Sequence, residues 1–149
     1  METLKLIITN KALIIPIIVL LCTQGAKVIY FAIKEKKLNL YKMLTTGGLP
    51  SSHSALISSL ATITGIVKGF DSLEFAIVAI LALIVMYDAT GVRRAAGEHA
   101  KILNKILDEN PQIQDEKRDK KLVELLGHTK IEVYAGILTG VILTLILYL

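Results

Sequence analysis

Cysteine and aromatic residues are scarce in this chain. Its 149 residues include one cysteine, Cys22, and no tryptophan, and only 5% are aromatic. A single cysteine excludes an intrachain disulfide. The basic segments lack the interleaved aromatic side chains that stack on bases, so we expect no nucleic-acid partner. No small-residue cleavage site follows the apolar N-terminal run, which argues against a secretory signal.

Charged residues are also scarce in four long segments. Hydrophobic residues make up 53% of the chain, and the mean hydropathy is +0.59. A membrane-spanning helix requires roughly 20 mostly apolar residues, with about 17 as the lower limit. The apolar runs cover residues 12–33, 50–67, 72–92 and 131–149. They predict an all-α fold, a polytopic membrane helical bundle with about four transmembrane helices, built as a single integral membrane domain over residues 1–149.

One loop between these runs has very little positive charge. The loop after the second run contains only Lys68, whereas the loops after the first and third runs are rich in lysine and arginine. By the positive-inside rule the two basic loops are cytoplasmic. We therefore expect a multi-pass protein of the cell membrane with both termini outside. Residues 93–130 are predicted to form a cytoplasmic helical loop, with an amphipathic helix at 95–110 and a second short helix at 115–126.

Two glycines precede the second run, which begins at Pro50, in the segment Gly47 to Ala55 (GGLPSSHSA). Proline suits the first turn of a helix, where its missing N–H costs nothing. Ser51, Ser52 and His53 would then lie at a helix N-terminus, whose free N–H groups favour a bound phosphate. The alternative is an N-capped helix whose serines bond its own amides.

Several polar residues lie within or beside the apolar runs, where they are costly and often functional. Gln24 and Lys27 lie within the first run. The alternative for Lys27 is that its ammonium group extends to the lipid headgroups. Asp88 precedes Arg93 and Arg94 at the end of the third run. The two arginines fit either topological anchors or ligands of phosphate oxygens.

The last run begins at Thr129-Lys130-Ile131-Glu132, which has the spacing of a capping box. His128 precedes it directly, so Glu132 could instead bond the imidazole and set its tautomer. Gly136 and Gly140 have GxxxG spacing, which predicts close packing against a neighbouring helix of the same bundle.

Alternating spans bring the start of the second run, the end of the third and the start of the fourth to the same side. Polar residues that meet there are His53, Asp88, Arg93, Arg94, His128 and Glu132, with Lys27 approaching from the first run. Such a group suits phosphoryl transfer. One imidazole can attack phosphorus, the other can protonate the leaving oxygen, and the cations can stabilise the transition state.

Two of these segments resemble motifs of the type 2 phosphatidic acid phosphatase superfamily. Pro50 to His53 (PSSH) resembles its Pro-Ser-Gly-His motif, and residues 128–136 (HTKIEVYAG) resemble the second half of its last motif. In that half, a His is followed four residues later by an Asp and then by Val-x-Ala-Gly. The resemblance to the divergent branch of this superfamily, small membrane proteins related to acid phosphatases and vanadium haloperoxidases, covers nearly all of residues 20–141. Its segments are 24–27 (QGAK), 47–55, 88–97 (DATGVRRAAG) and 126–129 (LGHT).

The resemblance implies a role for each matching residue. His128 would be the nucleophile that forms a phosphohistidine, Glu132 would replace the orienting aspartate, and His53 would be the general acid. Lys27, Ser51 and Ser52 would bind the phosphate, supported by Gln24 and Asp88.

Two arginines of the superfamily pattern are missing. Lys34 and Glu35 stand where Arg-Pro is expected, and Lys121-Leu122 stands where Ser-Arg is expected. We expect Arg93 and Arg94 to replace them.

The first functional interpretation is a membrane lipid phosphatase without a metal or other cofactor. Its substrate would be a lipid phosphate or diphosphate, cleaved at the cytoplasmic membrane boundary. The rival is an inactive protein of the same fold that binds a lipid headgroup or a protein partner. A third interpretation places a divalent ion at Asp88 and Glu98. A homo-oligomer is left open.

Overall fold

Six helices make up the described parts of the chain. The computed structural model describes residues 2–36, 48–110 and 121–149. The helices are α1 (Glu2–Thr9), α2 (Lys11–Glu35), α3 (Ser52–Lys68), α4 (Leu73–Thr90), α5 (Val92–Glu109) and α6 (Lys130–Tyr148). These residues include no strand. The predicted all-α helical bundle is therefore confirmed.

Side-chain caps set where the apolar helices α2 and α4 begin. The Asn10 side chain accepts a hydrogen bond from the Ala12 N–H at 3.0 Å at the start of α2. The Ser72 hydroxyl accepts one from the Phe75 N–H at 3.1 Å at the start of α4. The first N–H groups of a helix have no partner within it, so these short polar side chains determine where each helix starts.

Three stretches of the described chain are long and apolar enough to cross a membrane. They are Lys11–Ile33, Leu73–Glu109 and Lys130–Tyr148. The remaining predicted span, the second run at 50–67, corresponds to α3, which has 17 residues and packs against α2, α4 and α6. Its small and hydroxyl-bearing residues are buried by protein: Ser54, Ala55, Ser58, Ser59, Thr64 and Gly65. Helix α3 is therefore the central helix of the bundle.

The GxxxG pair of α6 packs directly on the start of α3. A Cβ at Gly136 would meet the Ser51 carbonyl oxygen, and one at Gly140 would lie 3.0 Å from the Ala55 Cα. The predicted close approach within the bundle is confirmed. Farther along, the Thr144 hydroxyl donates to the Ser59 hydroxyl at 2.6 Å. Small residues and hydroxyl pairs, which suit packing inside a membrane, hold these two helices together.

Backbone hydrogen bonds join the helix ends at one end of the bundle. The Ser51 N–H donates to the Glu132 carbonyl at 3.0 Å, and the His128 N–H donates to the Ala89 carbonyl at 2.9 Å. At the other end, the Lys11 ammonium lies 4.7 Å from the centre of the Tyr148 ring. The start of α3, the end of α4 and the start of α6 therefore lie together.

The second helix predicted for the loop, at 115–126, is wrong for the part that the structure describes. Residues 121–126 contain no helix, and 111–120 lie outside the described residues. The Asn104 amide instead forms hydrogen bonds with both backbone groups of Leu122. Its Nδ2 donates to the carbonyl at 2.9 Å, and its Oδ1 accepts from the N–H at 3.0 Å. The apolar pattern of this segment indicated a helix, but a partner on α5 satisfies its backbone in another way. The amphipathic helix predicted at 95–110 is present as α5.

Candidate functional site

The start of α3 is an N-capped helix end. The Ser51 hydroxyl accepts hydrogen bonds from the Ser54 N–H at 3.3 Å and from the Ser54 hydroxyl at 2.9 Å. Ser51 and Ser52 are both buried, at 0% and 1% exposure. The capping interpretation therefore describes Ser51, whose hydroxyl bonds within α3 where Gly136 lets α6 approach.

His128 is held by the turn before α6. Gly127 has a φ of 76°, and a Cβ there would collide with the backbone of Arg94 and lie 2.8 Å from the Ala89 carbonyl oxygen. The His128 N–H donates to that same carbonyl. Only glycine fits both the left-handed backbone and the close approach. The turn thus fixes the His128 backbone against the end of α4.

The carboxylate of Glu132 bonds both the backbone and the His128 ring. Its Oε2 accepts from the Thr129 N–H at 2.8 Å, and the Thr129 hydroxyl accepts from the Glu132 N–H at 3.3 Å, which completes a capping box. The same Oε2 lies 3.3 Å from His128 Nδ1. The contacts that the capping role and the ring-orienting role of Glu132 each require therefore occur together.

This contact determines which nitrogen of His128 carries the proton. A carboxylate can only accept, so Nδ1 donates and Nε2 of the neutral ring keeps its lone pair. His128 is 4% exposed, and its Nε2 is buried without a hydrogen-bond partner among the described residues. Burial lowers the pKa of His128 from its ordinary value, with Lys27 and His53 adding to the shift and Glu132 opposing it. The neutral ring, with a lone pair on Nε2, is therefore the favoured form at neutral pH.

A cavity of about 250 Å³ brings the two predicted catalytic histidines together. Its lining residues come from α3, α4, α5 and the turn before α6: His53, Ile84, Val85, Asp88, Ala89, Arg93, Gly127 and His128. Pockets that enclose a whole small ligand are typically about 300–1,000 Å³. This volume therefore suits a headgroup better than a whole lipid, and Ile84 and Val85 supply an apolar wall.

Arg93 contributes a positive charge to the lining of this cavity and forms an ion pair with Asp88. The Arg93 Nε donates to Asp88 Oδ2 at 2.5 Å, with the two side chains 51% and 38% exposed. Exposed ion pairs contribute only about 0–1 kcal/mol. An incoming phosphate could therefore take over the guanidinium at little cost.

Lys27 lies deep beside the site. Its side chain is completely buried, and a Cβ at Gly48 would lie 3.7 Å from the Lys27 Cδ. Its charge acts on His128. Gln24 lies about one turn deeper in α2, and its Oε1 is buried without a hydrogen-bond partner among the described residues. Lys27 thus adds positive charge behind the histidines, although it does not line the cavity.

Arg94 lines a different cavity from its neighbour Arg93. This second cavity, about 210 Å³ in volume, has Arg94, Glu98, Glu124 and Glu132 among its lining residues and shares Gly127 and His128 with the first. Glu98 and Asp88 therefore line separate cavities. In the described ranges, no group of three or more His, Cys, Asp or Glu side chains gathers as a metal site.

Three lining or supporting residues were missed by sequence reasoning. Ile84 and Val85 line the first cavity, but nothing distinguishes them locally within an apolar run. Asn104, which holds the segment before His128, does carry a signal. Gly97, Ala100 and Asn104 are spaced by three and four residues, so they form one small-residue face of α5.

Comparisons with known proteins found similar sequences. A sequence model described as the divergent PAP2 family matches residues 8–143. The chain is 43% identical over 151 residues to the uncharacterized membrane protein YuiD of Bacillus subtilis (strain 168), an alignment that covers 95% of this chain and 96% of YuiD. No solved structure matches the chain.

Proposed function

The chain belongs to the divergent PAP2 family of membrane proteins, and from that premise we propose that it is a lipid phosphatase. It would hydrolyse a lipid phosphate or diphosphate through a phosphohistidine on His128, at the cytoplasmic boundary of the cell membrane. The observation that carries the proposal is the state of His128. Its Nδ1 is held by a carboxylate, and its buried Nε2 has no partner among the described residues.

The first step would transfer the phosphoryl group to the enzyme. His128 Nε2 attacks phosphorus, a P–N bond forms, and the P–O bond to the lipid breaks. Protonated His53, which lines the same cavity, gives its proton to the leaving oxygen. The product is the lipid alcohol when the substrate is a lipid phosphate, and the lipid monophosphate when the substrate is a lipid diphosphate. Arg93 binds the equatorial oxygens on which negative charge is concentrated.

The second step would return the enzyme to its starting state. Neutral His53 takes a proton from water, the water oxygen attacks phosphorus, and the P–N bond breaks to release phosphate and His128. Glu132 stabilises the positive charge on the His128 ring during both steps through its contact with Nδ1. Each residue returns to its original protonation state, so no cofactor is consumed.

The lipid tail would stay in the bilayer during this cycle. Ile84 and Val85 of α4 line the cavity, and the exposed apolar side chains of α4 include Ile80, Leu83 and Ile84. The cavity volume of about 250 Å³ holds the headgroup. We therefore expect the enzyme to select the phosphate and its immediate neighbours more strongly than the tail.

Phosphate release in detergent tests the proposal. The substrates are phosphatidic acid, phosphatidylglycerophosphate and a polyprenyl diphosphate, with and without chelator and vanadate. We expect turnover that vanadate inhibits and chelator does not. His128→Ala should lower the rate by roughly a thousandfold or more, because another side chain does not substitute for a missing nucleophile. His99→Ala is the matched control, because His99 is exposed on α5 and lies outside both cavities that contain His128.

A trapped intermediate would identify the nucleophile directly. Rapid quenching with labelled substrate should give an acid-labile phosphohistidine on the peptide containing His128, absent from His128→Ala. Activity that survives this substitution would refute the mechanism. Activity lost with chelator would instead favour a metal-dependent reaction.

A second candidate function is headgroup binding without turnover. Among the described residues that line the first cavity, Arg93 is the only lysine or arginine, and it is already paired with Asp88. Arg94 lines the second cavity. Saturable binding of a lipid phosphate by the wild-type protein, with no phosphate released from any of the three substrates, would favour this candidate.

A further inference from the structure

Helix α5 packs one face, which includes small residues, against residues 121–126 of the same chain. Gly97, Ala100 and Asn104 are buried along one side of it. Its large apolar residues Ile102 and Leu103 are more than half and about half exposed, at 58% and 49%. The contacts of α5 with residues 121–126 are therefore made by the small face, and the amphipathic pattern alone does not indicate them.

Asn104 uses its whole amide group to hold this segment. Its Nδ2 donates to the Leu122 carbonyl at 2.9 Å and to Glu124 Oε1 at 2.8 Å, and its Oδ1 accepts from the Leu122 N–H at 3.0 Å. The side chain is 3% exposed. Three hydrogen bonds to one buried amide leave few of its bonding positions unused.

Gly97 provides a second attachment point along the same segment. A Cβ at Gly97 would lie 2.6 Å from the Glu124 carbonyl oxygen and 3.0 Å from that of Leu126. The segment can approach α5 only because that Cβ is missing. The next residues are Gly127 and His128, whose N–H is bonded to Ala89.

We propose that Asn104 is a positioning residue for His128. It holds residues 121–126 on α5, and this attachment keeps the His128 ring, which lines the cavity, buried against Glu132. Residues 121–126 have no helix or strand of their own, so contacts with α5 set their path. The effect on catalysis rests on the proposed function, whereas the effect on the burial of His128 does not.

Chemical modification measures that burial without any assay of activity. Diethyl pyrocarbonate acylates neutral imidazole nitrogens, and the chain has three histidines whose peptides can be separated by mass spectrometry. At about pH 8 ordinary and lowered imidazole pKa values alike leave the rings neutral, so rates report exposure. We expect His128 to react much more slowly than the exposed His99 in the wild-type protein.

Asn104→Asp should release the segment. The carboxylate still accepts from the Leu122 N–H, but it loses both donations and repels Glu124. We expect the His128 modification rate to rise about tenfold or more, because two buried hydrogen bonds are lost. The rate at His99 should not change. Asn110→Asp makes the same chemical change at the end of α5, where the Asn110 Nδ2 donates to Ile106 of the same helix, and it should leave His128 protected.

Gly97→Ala tests the same attachment with a substitution that should stabilise α5 itself. Alanine favours a helix over glycine, so α5 itself should become more stable while the added Cβ pushes the segment away. An increased His128 rate in both Asn104→Asp and Gly97→Ala supports the proposal. The proposal is overturned if His128 stays protected in Gly97→Ala. It is also overturned if Asn110→Asp raises the His128 modification rate as much as Asn104→Asp does.

Kinetics would then connect burial with catalysis. Asn104→Asp should lower kcat with little change in KM, because Arg93 and His53 still form the phosphate side of the cavity. Absence of turnover in the wild-type protein would refute the phosphatase proposal, while the modification rates would still decide the role of Asn104. Equal modification of His128 in all variants would refute that role whatever the activity.

Discussion

At the scale of single residues, one carboxylate connects the start of α6 to the chemistry proposed for His128. Glu132 Oε2 accepts from the Thr129 N–H and lies within hydrogen-bond distance of His128 Nδ1. The same atom therefore caps the helix and selects the tautomer. Because Glu132 opposes the lowering of the His128 pKa, its charge should be visible in the pH dependence of the reaction.

We predict that Glu132→Gln moves the acidic limb of kcat/KM to lower pH. In the wild type this limb should already lie below the ordinary histidine value of about 6.5, since protonated His128 is not a nucleophile and burial lowers its pKa. Removing the charge of Glu132 removes the effect that raises this pKa, so the limb moves further down. The plateau rate should fall roughly tenfold to a hundredfold, because a hydrogen bond to a charged group contributes about 1.5–3 kcal/mol.

The control for this prediction is Glu98→Gln. Glu98 lines the second cavity but forms no hydrogen bond to the His128 ring, so the limb should not move. Glutamine keeps the capping ability of Glu132. A Glu132→Gln variant with an unchanged limb and rate would return Glu132 to a purely structural role.

At the scale of elements, the contact between α3 and α6 decides whether the site can form. His53 lies in the first turn of α3 and Glu132 in the first turn of α6. The Ser51 N–H donates to the Glu132 carbonyl, and Gly136 and Gly140 permit the close approach. The helix packing that gives stability is therefore the packing that places two of the proposed catalytic groups.

We predict that Gly140→Ala destabilises the protein by about 1–3 kcal/mol, the usual cost of overpacking. The new Cβ would meet the backbone of Ala55, and a backbone inside a bundle moves less readily than a side chain. Gly25→Ala is a matched control in α2, because a Cβ there meets nothing within 4 Å. That variant should be neutral or more stable by up to about 1 kcal/mol from helix propensity.

Thermal unfolding in detergent, followed by circular dichroism, measures both variants. The expected order of Tm is Gly25→Ala at or above wild type and Gly140→Ala below it. Equal Tm values for the two variants would show that the α3–α6 contact has room that the structure does not indicate.

At the scale of the whole molecule, the proposed orientation depends on loop charge. We predict that a cysteine at Asp71, in the loop between α3 and α4, reacts with a membrane-impermeant maleimide in intact cells. A cysteine at Lys101 in α5 should react only after the cells are opened. Both substitutions are made with Cys22→Ala, since Cys22 is the only cysteine and is exposed.

The opposite labelling pattern would place the cavity on the outer side. In that case the chemistry proposed for His128 would still stand, but its substrate would come from the outer leaflet. If both positions were labelled from outside, they would lie on the same side of the membrane. That result would contradict an α4 that crosses the membrane between them.

Much of the fold follows from local sequence because its causes are local. Apolar runs long enough to cross a membrane became helices whose ends lie within two residues of those runs, and asparagine, serine and threonine caps determined where they begin. The family could also be identified from short motifs around His53 and His128. The second loop helix was wrong at 121–126, since apolar residues alone do not reveal that Asn104 competes for the backbone of that segment.

By itself, the sequence determined an all-helical membrane bundle and which polar residues gather at one of its ends. Only the tertiary structure decided which of these residues line the cavity of the two histidines and which do not. Arg93 lines the cavity of the two histidines and Arg94 lines the other, while Ser51 is buried beneath α6. The physical reason is that neighbours in sequence point in different directions around a helix. The partner that each side chain meets is set by helices distant in the chain, whose approach depends on missing Cβ atoms at Gly97, Gly127, Gly136 and Gly140.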